Sequence, residues 1–180
     1  PIYQGTLNAK SGQCEVTFRV PRYASRGTLG YAGSYAQNGS RDASIRPDSL
    51  LVVVPPTIAD SLALRPVDGP PRVDLGFKSG LKVVKTGDTV RARVHDADGI
   101  NILNTTNEGR QAILIDKQPV PIDVNEFFSF DHGGTDTSGV LLFPLPELHT
   151  GHHRLVYKVS DSFGFTTLDT LQFDVTDAAN

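Results

Sequence analysis

The sequence predicts an all-β protein built as an antiparallel β-sandwich, with very little helix. Two observations carry this. Period-2 alternation of apolar and polar residues dominates the chain, and no window sustains a 3.6-residue period beyond about two turns. Past residue 71, turn-forming clusters punctuate the apolar stretches at a spacing of roughly ten residues, which suits a sandwich.

The elements follow in order. "IYQGTLNAKSGQCEVTFRVP" reads as a hairpin turning through Ser11-Gly12, with Cys14, Val16, Phe18 and Val20 on an inward face. "GTLGYAGSYA" (27–36) is a Gly-rich strand candidate, and "DSLLVVVPP" is a buried strand stopped by prolines. The stretch 55–71 carries five of the twelve prolines. Fixed φ angles make it an extended linker.

Seven strand candidates come after it: "PRVDLGF", "DTVRARVHD", "QAILIDKQPV", "VNEFFSFD", "SGVLLFPLP", "HHRLVYKVSD" and "TLDTLQFDVT". Their inner faces include Val90, Ala92 and Val94; Leu155, Tyr157 and Val159; and Leu171, Phe173 and Val175. "PLPEL" at 144–148 is the one place where a short helical turn is expected. The resulting division is a partial or small β-unit over 1–55, a Pro-rich linker over 56–70 and a complete sandwich over 71–177. The first unit has too few strands for a whole sandwich, so its open edges are candidates for strand pairing with another chain.

Composition bounds the function. The chain has 180 residues, 38% hydrophobic, with a formal charge of −3 and an isoelectric point near 5.9. Lys and Arg are scattered, so no basic surface for nucleic acid is expected. The longest apolar run, "LLVVV", is far short of a membrane span. Cys14 is the only cysteine, which excludes an internal disulfide, a Cys-rich zinc site and a CxxC pair. With Pro1 as first residue and no leader pattern, the chain reads as a piece of a longer protein.

Four constellations bear chemistry. "HDADGIN" supplies hard oxygen donors at Asp96, Asp98 and Asn101 that suit Ca²⁺, although the spacing is not an EF-hand. Its alternative is a strand-ending turn in which Gly99 takes positive φ. His149, His152 and His153 in "LHTGHHRL" suit zinc or nickel, but alternation sends His152 and His153 to opposite faces. Asp131, His132 and Asp136 in "FDHGGTDTSG" read as a solvated hairpin tip. Tyr23, Tyr31 and Tyr35 could form an aromatic platform for a sugar, or be ordinary packing residues. No GxSxG or other motif with a catalytic mechanism occurs, so an enzyme is not expected.

The order "GQCEVTFRVPR", "GTLGYAGSYA", "GPPRVDLGF", "DTVRARVHDADGINI" and "SGVLLFPLPELHTGHHRLVYKVSDSFGFTTLDTLQFDV" resembles the immunoglobulin-like region that follows the peptidase domain in gingipain-type cysteine peptidases. The likeness is to sortase-like members of the type IX secretion pathway, and it covers nearly the whole chain. The shared pattern falls on Arg19-Val20-Pro21, the Asp96 to Asn101 turn, Leu148, Gly151, His153 and Leu155, and Ser160-Asp161. The resemblance implies immunoglobulin-like sandwiches in tandem within a secreted or cell-surface protein. It implies a non-catalytic spacer, stabilising or docking module whose partners are neighbouring domains of the parent. The alternative is a carbohydrate-binding module, calcium-assisted, with a polysaccharide as partner.

Overall fold

The computed structural model describes residues 3, 6–9, 12–21, 24, 27–30, 32–45, 51–53, 66, 68–103 and 111–176. The chain divides into two compact units: one joins 1–23 to 66–180, and the other is 24–65. The smaller unit holds β1 (Gly27–Gly30), β2 (Ser34–Gln37), β3 (Asp42–Ile45) and β4 (Leu51–Val53). They form two antiparallel pairs, β1 with β4 and β2 with β3.

The larger unit is a two-layer sandwich. One sheet orders β11 (Phe128–Phe130), β12 (Ser138–Pro144), β7 (Thr89–His95) and β5 (Arg72–Phe77), all antiparallel. The facing sheet orders β10 (Ile122–Asp123), β9 (Ala112–Ile115), β13 (Gly151–Asp161), β14 (Thr166–Val175) and β6 (Val83–Val84). Here β6 joins β14 in parallel, and β8 (Ile100–Asn101) pairs with the end of β13. With β5, β7, β9, β11, β12, β13 and β14 taken as strands A, B, C, D, E, F and G, the two sheets are ABED and CFG. Strand β10 then extends the second sheet beside C. This is the immunoglobulin arrangement.

All seven strand candidates after residue 71 form strands, and the alternation fixes which side chains meet. Val90, Ala92, Leu141 and Phe128 of one sheet, and Ile113, Ile115, Leu155, Tyr157, Val159 and Phe173 of the other, are at most 1% exposed. Each such aliphatic or aromatic side chain stabilises the fold by about 1.5–3 kcal/mol relative to exposure. The Tyr157 hydroxyl, buried at the centre, donates to Gln111 Oε1 at 2.6 Å, which meets its need for a partner.

Two local expectations are corrected. Residues 144–148 form no helical turn; the one short helical turn among the described residues is a 3₁₀ turn at Asn125–Phe127 leading into β11. Alternating prolines at 144 and 146 keep the former stretch extended. The expected hairpin over 2–21 turns through Ser11, which lies outside the described residues; among the described ones, Gln13 is a bridge residue and Thr17 makes an isolated parallel bridge to Thr135. Cys14, expected on an inner face, is exposed, as is Val20.

The described residues of 1–23 pack on the sandwich. The Tyr3 ring stacks on Phe130 at 4.8 Å and on Phe18 at 5.8 Å. Thr17 N–H donates to Gly134 O at 2.7 Å. These contacts explain why the segment groups with 66–180 although the sequence pattern suggests a boundary near residue 55.

Candidate functional site

Strand β7 ends at His95 because the chain turns sharply through Asp96–Gly99. Asp98 N–H donates to Asp96 Oδ1 at 2.7 Å, and Gly99 N–H to Asp96 O at 3.3 Å. Gly99 sits at φ +88°, and a Cβ there would come within 2.5 Å of Asp136 Oδ2. Glycine is required on both counts. The turn is then stitched to its neighbours: Asp96 N–H to Thr137 O, Ile100 N–H to Asp136 O and Ser162 N–H to Gly99 O, at 2.7–2.8 Å.

This stitching gathers acids from three connections at one end of the sandwich. Asp96, Asp98 and Asp161 each offer a carboxylate oxygen, and these oxygens lie within 4.8 Å of one another. The three residues are 1%, 0% and 0% exposed; Asp136, beside them across Gly99, is also buried. The donors around them are unevenly spent. Asp161 Oδ1 accepts from the N–H groups of Phe163, Gly164 and Phe165, which shapes the turn between β13 and β14. Asp98 accepts from Arg19 Nη1 at 2.8 Å and from Asp68 N–H at 2.9 Å. Asp96 Oδ2, Asp161 Oδ2 and Ser162 Oγ are buried with no hydrogen-bond partner.

The electrostatics follow from that crowding. Burial, only partly countered by the Asp98 N–H, pushes the Asp96 carboxyl up to about 7, with Asp161, Asp98 and Asp68 adding repulsion. Burial likewise raises Asp161, against its three N–H donors, and Asp136, against the Arg19 N–H. Arg19 lies over the Phe163 ring at 5.2 Å while it pairs with Asp98.

Of the sequence-predicted ligands, Asp96 and Asp98 meet in this cluster. Asn101 lies beside it on β8, opposite Ser160, but its Oδ1 is engaged by the Leu103 N–H at 3.0 Å. Asp161 is a site residue that the sequence pattern does not single out. Its signal is the "SD" pair at the end of β13, legible only as a strand terminus. Ser162 carries no signal, and Arg19 stands out only within the Arg19-Val20-Pro21 pattern, which does not reveal its contact with Asp98 across 79 residues.

The other candidates separate. Tyr35 is exposed on β2 and its hydroxyl reaches Asp42 at 3.3 Å; Tyr23 and Tyr31 lie outside the described residues. His152 and His153 face opposite ways as expected, one exposed and one buried. His153 Nδ1 lies 2.8 Å from Asp116 Oδ2 and its Nε2 lies 2.8 Å from His149 O. Both ring nitrogens are spent on acceptors, so the ring has no lone pair for a metal. The tip at 131–136 is not simply solvated: His132 Nδ1 meets Thr6 O at 2.8 Å, a Cβ on Gly134 would strike Glu15 O, and Asp136 is buried. The N-terminal segment covers it.

No protein-family model matches the chain, and no curated protein matches it. Among solved structures, the chain is similar to dimeric latent PorU from Porphyromonas gingivalis. The TM-score is 0.59 at 25% identity, and the match covers 81% of this chain. The chain spans 14% of the PorU chain. This likeness supports a relation to PorU and does not single out the gingipain immunoglobulin-like region.

Proposed function

We propose that the chain is a non-catalytic accessory module of a larger secreted or cell-surface protein, in which the acidic end of the sandwich docks flanking chain. The observation that carries this is the seating of residues 12–21 on the sandwich through Thr17, Arg19 and the Glu15–Gly134 approach. The lead-in at Asp68 is tied to Asp98 at the same end. A match covering 81% of this chain but 14% of PorU supports a module serving a larger whole.

The close carboxylates do not make a hydrolytic pair. A general acid must reach the proton it transfers to substrate, and Asp96, Asp98 and Asp161 are at most 1% exposed. Secretion and surface location are proposals carried by the PorU likeness.

Amide hydrogen exchange tests the docking. Residues 12–21 should be protected in the intact chain and lose protection in Arg19→Ala, with the strands 72–175 unchanged. Equal, fast exchange at 12–21 in both proteins would refute the reading. Retardation of the chain on a polysaccharide in affinity electrophoresis would replace it with the carbohydrate-binding alternative.

A further inference from the structure

We infer that the acidic end holds one calcium ion, ligated by Asp96, Asp98 and Asp161 with the Ser162 hydroxyl. The inference deepens the docking reading and rests on it for the ion's role, which is to fasten the lead-in and N-terminal segments to the sandwich.

Three observations converge. The first is geometric: three carboxylate oxygens within 4.8 Å of one another suit Ca²⁺, whose ligand oxygens stand about 2.3–2.6 Å from the ion and so about 5 Å apart across it. The second is independent of the acid count. Ser162 Oγ, on a residue 3% exposed, has no hydrogen-bond partner and lies 3.2 Å from where a Gly99 Cβ would stand, against the acid turn. A buried hydroxyl with two lone pairs and no protein partner is suited to serve as a ligand oxygen.

The third is the division of labour within two of the three carboxylates; Asp98 accepts from Arg19 on Oδ1 and from the Asp68 N–H on Oδ2, so it would meet an ion through a remaining lone pair. Asp96 uses Oδ1 and Asp161 uses Oδ1 to fix their own turns, while Oδ2 of each is buried without a partner. A buried carboxylate oxygen left so is costly unless a cation meets it. The donors are all hard oxygens, with no imidazole or thiolate among the set, which selects Ca²⁺ over zinc or copper. Ca²⁺ also tolerates an irregular shell completed by water, whereas Mg²⁺ demands a near-ideal octahedron.

The ion explains the position as well as the composition. Asp98 reaches Arg19 and Asp68 N–H, so a metal on Asp98 orients the carboxylate that both segments grip. Closing the turn at 96–99 against 161–165 would then stiffen the seat of the flanking chain.

The test uses the whole 180-residue chain freed of metal by chelator. Titration calorimetry with CaCl₂ should show one saturable site, with MgCl₂ at least tenfold weaker, and Ca²⁺ should raise the melting temperature by mass action. Asp96→Asn and Asp161→Asn keep the side-chain shape and neutralise a buried charge. Both should keep the far-ultraviolet circular dichroism of the parent and lose Ca²⁺ affinity at least tenfold. Asp74→Asn, on the open face of β5, should bind as the parent does. No saturable Ca²⁺ heat at millimolar concentration, with coincident melts in Ca²⁺ and chelator, would overturn the inference; so would parental affinity in Asp161→Asn. Hydrogen exchange at 12–21 in the same samples separates the two ideas. Protection without any Ca²⁺ binding leaves docking standing and sinks the ion; Ca²⁺ binding without protection does the reverse.

Discussion

The two ends of strand β13 bury polar groups in opposite ways. At one end His153 is enclosed, stacked on Phe173 at 5.7 Å, and both its ring nitrogens meet acceptors. At the other, roughly 27 Å along the strand at about 3.4 Å per residue, Asp161 and Asp96 each keep a buried oxygen without a partner. The contrast is between a polar group whose partners complete the fold and carboxylates that each bury an oxygen without one. Burial alone is the same at both ends; what differs is whether the valences are filled.

The comparison can be broken from either side. The largest effect is expected at the histidine end: His153→Ala should cost about 3 kcal/mol, chiefly through the cavity beside Phe173, since the exposed Asp116 can turn to water. The loss should be the same with chelator or Ca²⁺ in a denaturant titration. Gly99→Ala comes next, at about 2 kcal/mol, because a Cβ at φ +88° is strained and also meets Asp136. Equal stability of that variant would show that the turn relaxes more easily than its contacts imply.

Titration sharpens the difference further. The native Asp96 carboxyl is raised from 3.8 to about 7, so the metal-free folded chain holds the extra proton between those values. Its contribution is therefore present below about pH 4 and lost as pH rises to about 7, with a slope of at most about 1.4 kcal/mol per pH unit. Asp96→Asn should flatten this region of a stability profile. In Ca²⁺ the parental profile should turn upward with pH, since metal displaces protons.

The histidine end behaves otherwise. Burial pushes His153 down, but the Asp116 hydrogen bond and the His149 carbonyl leave its pKa raised. Asp116, though partial burial raises it, is left lowered by the Arg154 N–H and the His153 ring. The pair thus contributes most between about pH 4 and 6.5, declining above as His153 deprotonates and below as Asp116 protonates. The smallest effect is Arg19→Ala, about 1 kcal/mol or less in the same titration, because the guanidinium is 30% exposed and screened.

The strands of the sandwich are legible in the sequence because period-2 alternation records which face is buried, as Leu155, Tyr157 and Val159 show. Half the site is legible too: Asp96, Asp98 and Gly99 are local, and a tight turn explains them at short range. Asp161 and Ser162 are not, because their relation to Gly99 comes from the pairing of β8 with β13. The apolar alternation at Cys14, Val16, Phe18 and Val20 holds at the half-buried Val16 and Phe18 and misleads at Cys14 and Val20, which are exposed. Alternation states which side chains share a face, but not how far along the strand a neighbour such as Tyr3 covers it.

The register of β5 and β14 also decides how the sandwich would carry load. Arg72 at the start of β5 pairs with His95 at the acidic end, while Val175 at the close of β14 pairs with Gly151 at the histidine end. The chain therefore joins the sandwich at one pole and leaves it at the other. Tension along that line pulls β5 against β7, and β14 against β13 and β6, parallel to their strands, so that many hydrogen bonds must yield together. Pulling single molecules from residues 71 and 176 should give a higher rupture force than pulling the β13–β14 hairpin open from 151 and 175, where the bonds break singly and in succession.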